Sequence, residues 1–94
     1  MHDPEKFERA RIELIDAELE RVQEHLREAA VQLADTHHLK ALELIEKAKH
    51  SYELASFHLE KLTLDQESLG DLAQTLRKNI EELEQQIKKN STEL

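Results

Sequence analysis

Two histidines with glutamates one helical turn away are the residues of this 94-residue chain that could do chemistry. His25 precedes Glu28 by three positions, and His50 follows Glu46 by four and precedes Glu53 by three. Residues three or four apart share a helix face, and divalent transition metals accept imidazole together with carboxylate. One hypothesis is therefore a small divalent-metal-binding helical bundle whose ligands are His25, Glu46, His50 and Glu53.

The positions of these residues in the heptad pattern argue against a metal centre. His50 and Glu46 fall at outward positions and His25 at a flanking position, and the spacing differs from the Glu-x-x-His pattern of di-iron bundles. The favoured interpretation is that the histidines are exposed and contact carboxylates of their own helix. The sequence predicts no cofactor.

No arrangement of nucleophile and base predicts catalysis. Ser51 follows His50 directly, but successive residues of a helix point about 100° apart and do not meet. Gly70 is the only glycine, so there is no glycine-rich loop for a phosphate. A narrow helical bundle also lacks the deep pocket that small-molecule sites use. We therefore expect a protein that is not an enzyme.

Apolar residues at alternating steps of three and four predict long helices with heptad packing. We call the stripe of core-facing a and d positions of a helix its seam. One seam runs from Ile12, at an a position, to Leu33, and a second begins with His38 at an a position. The heptad phase breaks between them at Asp35 and Thr36, two cap-forming residues that favour a tight turn. The second seam keeps its phase to Ile87. We predict helices over 4–34, 37–63 and 66–89 with a flexible tail over 90–94, in a single domain spanning 1–94.

The unbroken phase of the second seam leaves two architectures open. A continuous helix over 38–89 would expose half of its seam and dimerise. Alternatively, the chain turns near Asp65, which is a cap former with Leu64 and Leu69 placed as a hydrophobic staple. This second fold packs large residues against small ones, for example Leu76 against Ala55. It predicts an all-α, antiparallel up-down-up three-helix bundle, which we expect to be oligomeric.

A second set of large apolar residues lies at outward heptad positions on the first two helices, and comprises Phe7, Leu14, Leu54, Phe57 and Leu64. Exposed, they would form an interface for a second copy or for another helical protein. The alternative is that the helices rotate and bury them against the third helix. The predicted function is a non-enzymatic helical interaction or assembly module that acts through this apolar set.

The charge composition limits the classes of partner. Thirteen Lys and Arg against 21 Asp and Glu give a net charge of −8, which disfavours nucleic acid and anionic membrane surfaces. No cysteine is available for disulfides or thiolate ligands. The N-terminal residues are polar and no apolar run approaches the length of a membrane span. We therefore expect a cytoplasmic protein that binds proteins.

Overall fold

Three α-helices provide the regular secondary structure of the residues described. The computed structural model describes the backbone of residues 4–62 and 66–92 and the side chains of 6–62 and 66–90. Helix α1 spans Pro4–Ala34, α2 spans His38–Glu60 and α3 spans Glu67–Thr92. The helices pack side by side in a bundle measuring 60 × 18 × 15 Å, in which α1 and α2 share the largest contact and α3 packs on both. The all-α, three-helix prediction is confirmed, and a continuous helix over 38–89 does not form.

The predicted heptad seams form the core. Within the described residues, each buried apolar side chain occupies a seam position. They are Ile15, Leu19, Val22, Ala29, Ala41, Ile45, Ala48, Ala55, Ala73, Leu76, Ile80 and Ile87. The buried seam of α2 consists of three alanines and one isoleucine. Small residues let two helix backbones approach closely, which fits the extensive contact between α1 and α2.

Helix α1 ends in a Schellman motif that has threonine where glycine is usual. The N–H of His37 donates to the carbonyl of Gln32 at 2.8 Å, and the N–H of Thr36 donates to the carbonyl of Leu33 at 3.0 Å. These two bonds define the motif. Thr36 lies in the left-handed region with φ of 63°, and a β-branched side chain is strained there.

We expect Thr36→Gly to raise the free energy of unfolding by about 1 kcal/mol, because it relieves the strain of a side chain in the left-handed region. The lost hydrogen bond from the Thr36 hydroxyl to the Asp35 carbonyl is exposed and costs less. Urea unfolding followed by circular dichroism measures the change. Thr36→Val keeps the branched Cβ and should bring no gain. A Thr36→Gly variant less stable than the wild type would disprove the strain.

Two predicted helix ends differ from the structure. Helix α2 ends at Glu60 instead of residue 63, because the N–H groups of Lys61 and Leu62 turn back to the carbonyls of His58 and Leu59 in tighter i→i−3 bonds. Helix α3 continues through Thr92, beyond the predicted end at residue 89, and buried Ile87 packs near its last turns. The flexible tail over 90–94 stays a prediction. The predicted cap Asp65 and staple residue Leu64 lie outside the described residues.

Gly70 lies in regular helix and does not mark a turn. Its N–H donates to the carbonyl of Gln66 at 3.0 Å, and a Cβ added to it would meet nothing within 4 Å. We expect Gly70→Ala to stabilise the protein by about 0.5–1 kcal/mol, since glycine loses more backbone entropy in a helix. Thermal unfolding measures the gain. Gln74→Ala, one turn later, should change stability by less than about 0.5 kcal/mol, and equal effects of the two variants would refute the explanation.

Candidate functional site: an apolar face on α1 and α2

Four of the five predicted interface residues are exposed at the surface. Phe7 is 65% exposed and Phe57 is 54% exposed, and Leu14 and Leu54 keep 42% and 38% of their surface exposed. The alternative in which the helices rotate to bury these side chains is therefore wrong for the two phenylalanines, whereas the two leucines are more than half covered. The fifth residue, Leu64, lies outside the described residues. We call Phe7, Leu14, Leu54 and Phe57 the apolar face.

Phe57 contacts two side chains close to it in sequence, one of them at the C-cap of α2. The Lys61 ammonium lies 4.7 Å from the centroid of the Phe57 ring, a cation–π contact worth about 0.5–1 kcal/mol at an exposed site. The His58 ring meets it edge to face, with centroids 5.3 Å apart and an interplanar angle of 83°. Phe57 thus keeps more than half its surface in contact with solvent, where a partner can reach it.

Two further exposed apolar residues lie near the turn over residues 35–37, and neither was among the predicted interface residues. Val31 in the last turn of α1 is exposed, and Leu39 in the first turn of α2 is 79% exposed. Leu39 also lines a shallow surface pocket of about 420 Å³ beside the turn, together with residues 36–38 and Lys40. The same signal that identified Phe57, an apolar residue off the seam, was present for both.

The predicted metal ligands are not gathered into a metal-binding group. Among the described residues, no three histidine, aspartate or glutamate side chains are arranged to hold a metal ion. Glu53 lines the groove between α2 and α3, whereas His25 lines a surface concavity on α1. Glu46 instead forms an ion pair with Lys49 at 3.5 Å. Metal binding by these residues has no geometric support and stays a prediction.

A charge network links α2 to α3. The Lys49 ammonium pairs with the Glu84 carboxylate across the two helices, and Lys88 approaches the other oxygen of Glu84 at 3.9 Å. The hydrogen bond to Glu84 raises the pKa of Lys49, and the negative charges of Glu84 and Glu46 act in the same direction against the lowering effect of burial. Lys49 is therefore charged at neutral pH, and its pair with Glu84 joins α2 to α3.

Helix α1 contains a buried carboxylate. Glu18 is only 5% exposed and accepts a hydrogen bond from the Arg21 guanidinium at 2.6 Å. Ser51 of α2 is buried as well. Both residues flank the seam at g positions, so burial extends beyond the a and d positions. Sequence reasoning missed Glu18 because a single glutamate at a g position is ordinarily solvated.

None of the described helices combines the length and apolar character that crossing a bilayer requires.

Known proteins give no guide to this site. Comparison with protein-family models, with curated proteins and with solved structures finds no significant match to this chain. Function is therefore inferred from the residues and geometry of the chain itself.

Proposed function

We propose that this protein is a non-enzymatic helical interaction module that binds a helix of its partner through the apolar face. The partner helix comes from a second copy of the chain or from another helical protein. The observation that carries the proposal is that Phe7, Leu14, Leu54 and Phe57 stay exposed, whereas the buried apolar side chains of the described residues all lie on the seams. Large apolar and aromatic residues grouped at a surface are typical of protein interfaces.

We further propose that the three helices run up, down and up. Only residues 35–37 separate α1 from α2, and a connection this short favours antiparallel neighbours. In an antiparallel pair the g positions of both helices face each other, which agrees with the burial of Glu18 and Ser51. The Lys49–Glu84 pair fits the register obtained by turning the chain back near residue 65. In this arrangement the apolar face lies at the end of the bundle that is remote from the connection over residues 35–37.

The expected affinity follows from the size of the face. Complete burial of a Leu or Phe side chain contributes about 1.5–3 kcal/mol, and these four residues are already partly covered. Association costs roughly 4–15 kcal/mol in lost translational and rotational freedom. The balance supports a reversible complex of modest affinity, not an obligate one. The experiment that tests the proposal is therefore the solution mass over a range of concentrations, compared between the wild type and Phe57→Glu.

A further inference from the structure

We infer that the preferred partner of the apolar face is an acidic amphipathic helix, because the groove that contains the face is basic in an otherwise acidic protein. The inference rests on the proposed function and on the antiparallel arrangement of α1 and α2. It adds the chemistry of the partner.

The outer α1–α2 groove is lined by the c and g positions of both helices. The g residues meet between the helices, and the c residues flank them on the solvent side. Phe7, Leu14 and Leu54 occupy c positions, and Phe57 occupies the adjacent f position. Helix α3 packs on the opposite side, since Lys49, at an e position, pairs with Glu84 of α3. Among the described residues, therefore, no third helix covers the groove on the α1–α2 side.

This groove carries positive charge. Its c and g positions, including the C-cap of α2, hold five basic and two acidic residues, namely Arg11, Arg21, Lys40, Lys47, Lys61, Glu18 and Glu28. The groove thus has a net charge of +3, and the remainder of the chain has −11, since the total is −8. Asp35 belongs to the turn at the other end, and including it leaves a net charge of +2.

The other grooves of the bundle lack this combination. The b and e positions that line the α2–α3 groove hold six acidic and three basic residues, namely Glu46, Glu53, Glu60, Glu67, Glu81, Glu84, Lys49, Arg77 and Lys88. The α1–α3 groove includes Arg27, Leu83 and Glu82, and its b, e, c and g positions balance four acids with four bases. Of the three grooves, the α1–α2 groove alone joins exposed large apolar residues to a positive net charge.

An amphipathic helix with an apolar stripe and acidic flanks matches this groove in both respects. Its stripe would cover the apolar face, and its carboxylates would meet Lys40 and Lys47, which are exposed, and Arg11. Charged flanking positions choose partners in this way in coiled coils. A second copy docked by two-fold symmetry would place this positive groove against itself, so we expect self-association through the same face to be weaker than the binding of an acidic helix. A nucleic acid or an anionic bilayer would be repelled by the charge of −11 on the rest of the surface.

Two synthetic peptides of about 21 residues, three heptads long, test the inference. Both carry the same leucine stripe, and all other positions are mainly Glu in one and mainly Lys in the other. Fluorescence anisotropy with the full chain should show the Glu peptide binding at least about tenfold tighter than the Lys peptide, with an affinity that falls as salt is raised. The Lys40→Glu/Lys47→Glu variant should lose about fivefold or more in affinity for the Glu peptide. Lys78→Glu, on the exposed surface of α3, is a control that adds half as much negative charge outside the groove, and it should bind unchanged.

The outcomes separate the inference from the proposed function. Equal binding of the two peptides, or unchanged binding by Lys40→Glu/Lys47→Glu, would overturn the inference that the partner is acidic. Loss of peptide binding in Phe57→Glu would in that case still support the apolar face. Self-association through Phe57 with no peptide bound would make a second copy the partner and overturn the inference. Tighter binding to vesicles of an anionic phospholipid than to the Glu peptide would also overturn it. If Phe57→Glu changes neither peptide binding nor solution mass, the proposed function itself fails.

Discussion

Ile45→Ala should lower the free energy of unfolding by about 2–4 kcal/mol. Ile45 is fully buried in α2, the helix whose contacts with α1 are the most extensive and which also packs on α3. Its buried neighbours on the same seam, Ala41 and Ala48, are too small to fill the space that the lost atoms leave. The variant therefore loses the transfer free energy of the side chain and gains a cavity. Urea unfolding followed by circular dichroism at 222 nm, the band that reports helix, measures the loss.

Leu39→Ala is the matched control for Ile45→Ala. Leu39 is also a large apolar residue of α2, but it is 79% exposed, so its removal should change stability by less than about 0.5 kcal/mol. The comparison separates burial from helix propensity, because both variants place alanine in the same helix. Equal losses in the two variants would show that the seam of α2 is not the core.

Phe57→Glu should leave the helical content unchanged and weaken self-association at least tenfold. Phe57 is 54% exposed, so the bundle does not need its side chain. In the complex, however, a carboxylate at this position would have to be desolvated among apolar groups, which costs several kcal/mol unless it is paired. Sedimentation equilibrium gives the dissociation constant of each protein.

Leu39→Glu is the control for Phe57→Glu. It also places a glutamate at an exposed apolar position of α2, but near the first turn and away from the apolar face. The added charge is the same, so general repulsion between copies affects both variants equally. The dissociation constant of Leu39→Glu should stay close to that of the wild type. Equal weakening in the two variants would assign the effect to net charge and remove Phe57 from the interface.

The three-helix fold could be predicted because, along the described helices, the heptad spacing of the apolar residues matches the set of residues that are buried. Seam residues such as Ile15 and Ile80 are buried because steps of three and four put them on one stripe of the helix. The left-handed conformation of Thr36 could not be predicted. Its strain is compensated by two backbone hydrogen bonds, which any sequence could make. The end of α2 depends in the same way on backbone geometry beyond Glu60.

The candidate site could be predicted only as far as single helices determine it. Phe57 stood out because no rotation of a heptad helix brings an f position into the core, and it is exposed. The metal ligands required His25 of α1 to meet Glu46 and His50 of α2. Such a meeting depends on which faces of two helices adjoin, and no group of this kind forms among the described residues. The proposed basic groove likewise depends on an ion pair between helices, that of Lys49 with Glu84, which the sequence did not predict.

The most direct test of the apolar face as the working surface is the solution mass of the wild type and of Phe57→Glu, measured by light scattering during dilution from about 500 to 5 µM. The salt should be near 0.3 M, where repulsion between acidic copies is largely screened. We predict that the wild-type mass rises from the monomer value of 11.0 kDa towards twice that value with increasing concentration, while Phe57→Glu stays monomeric. Coincident mass curves for the two proteins would contradict the proposal that a second copy of the chain binds the apolar face.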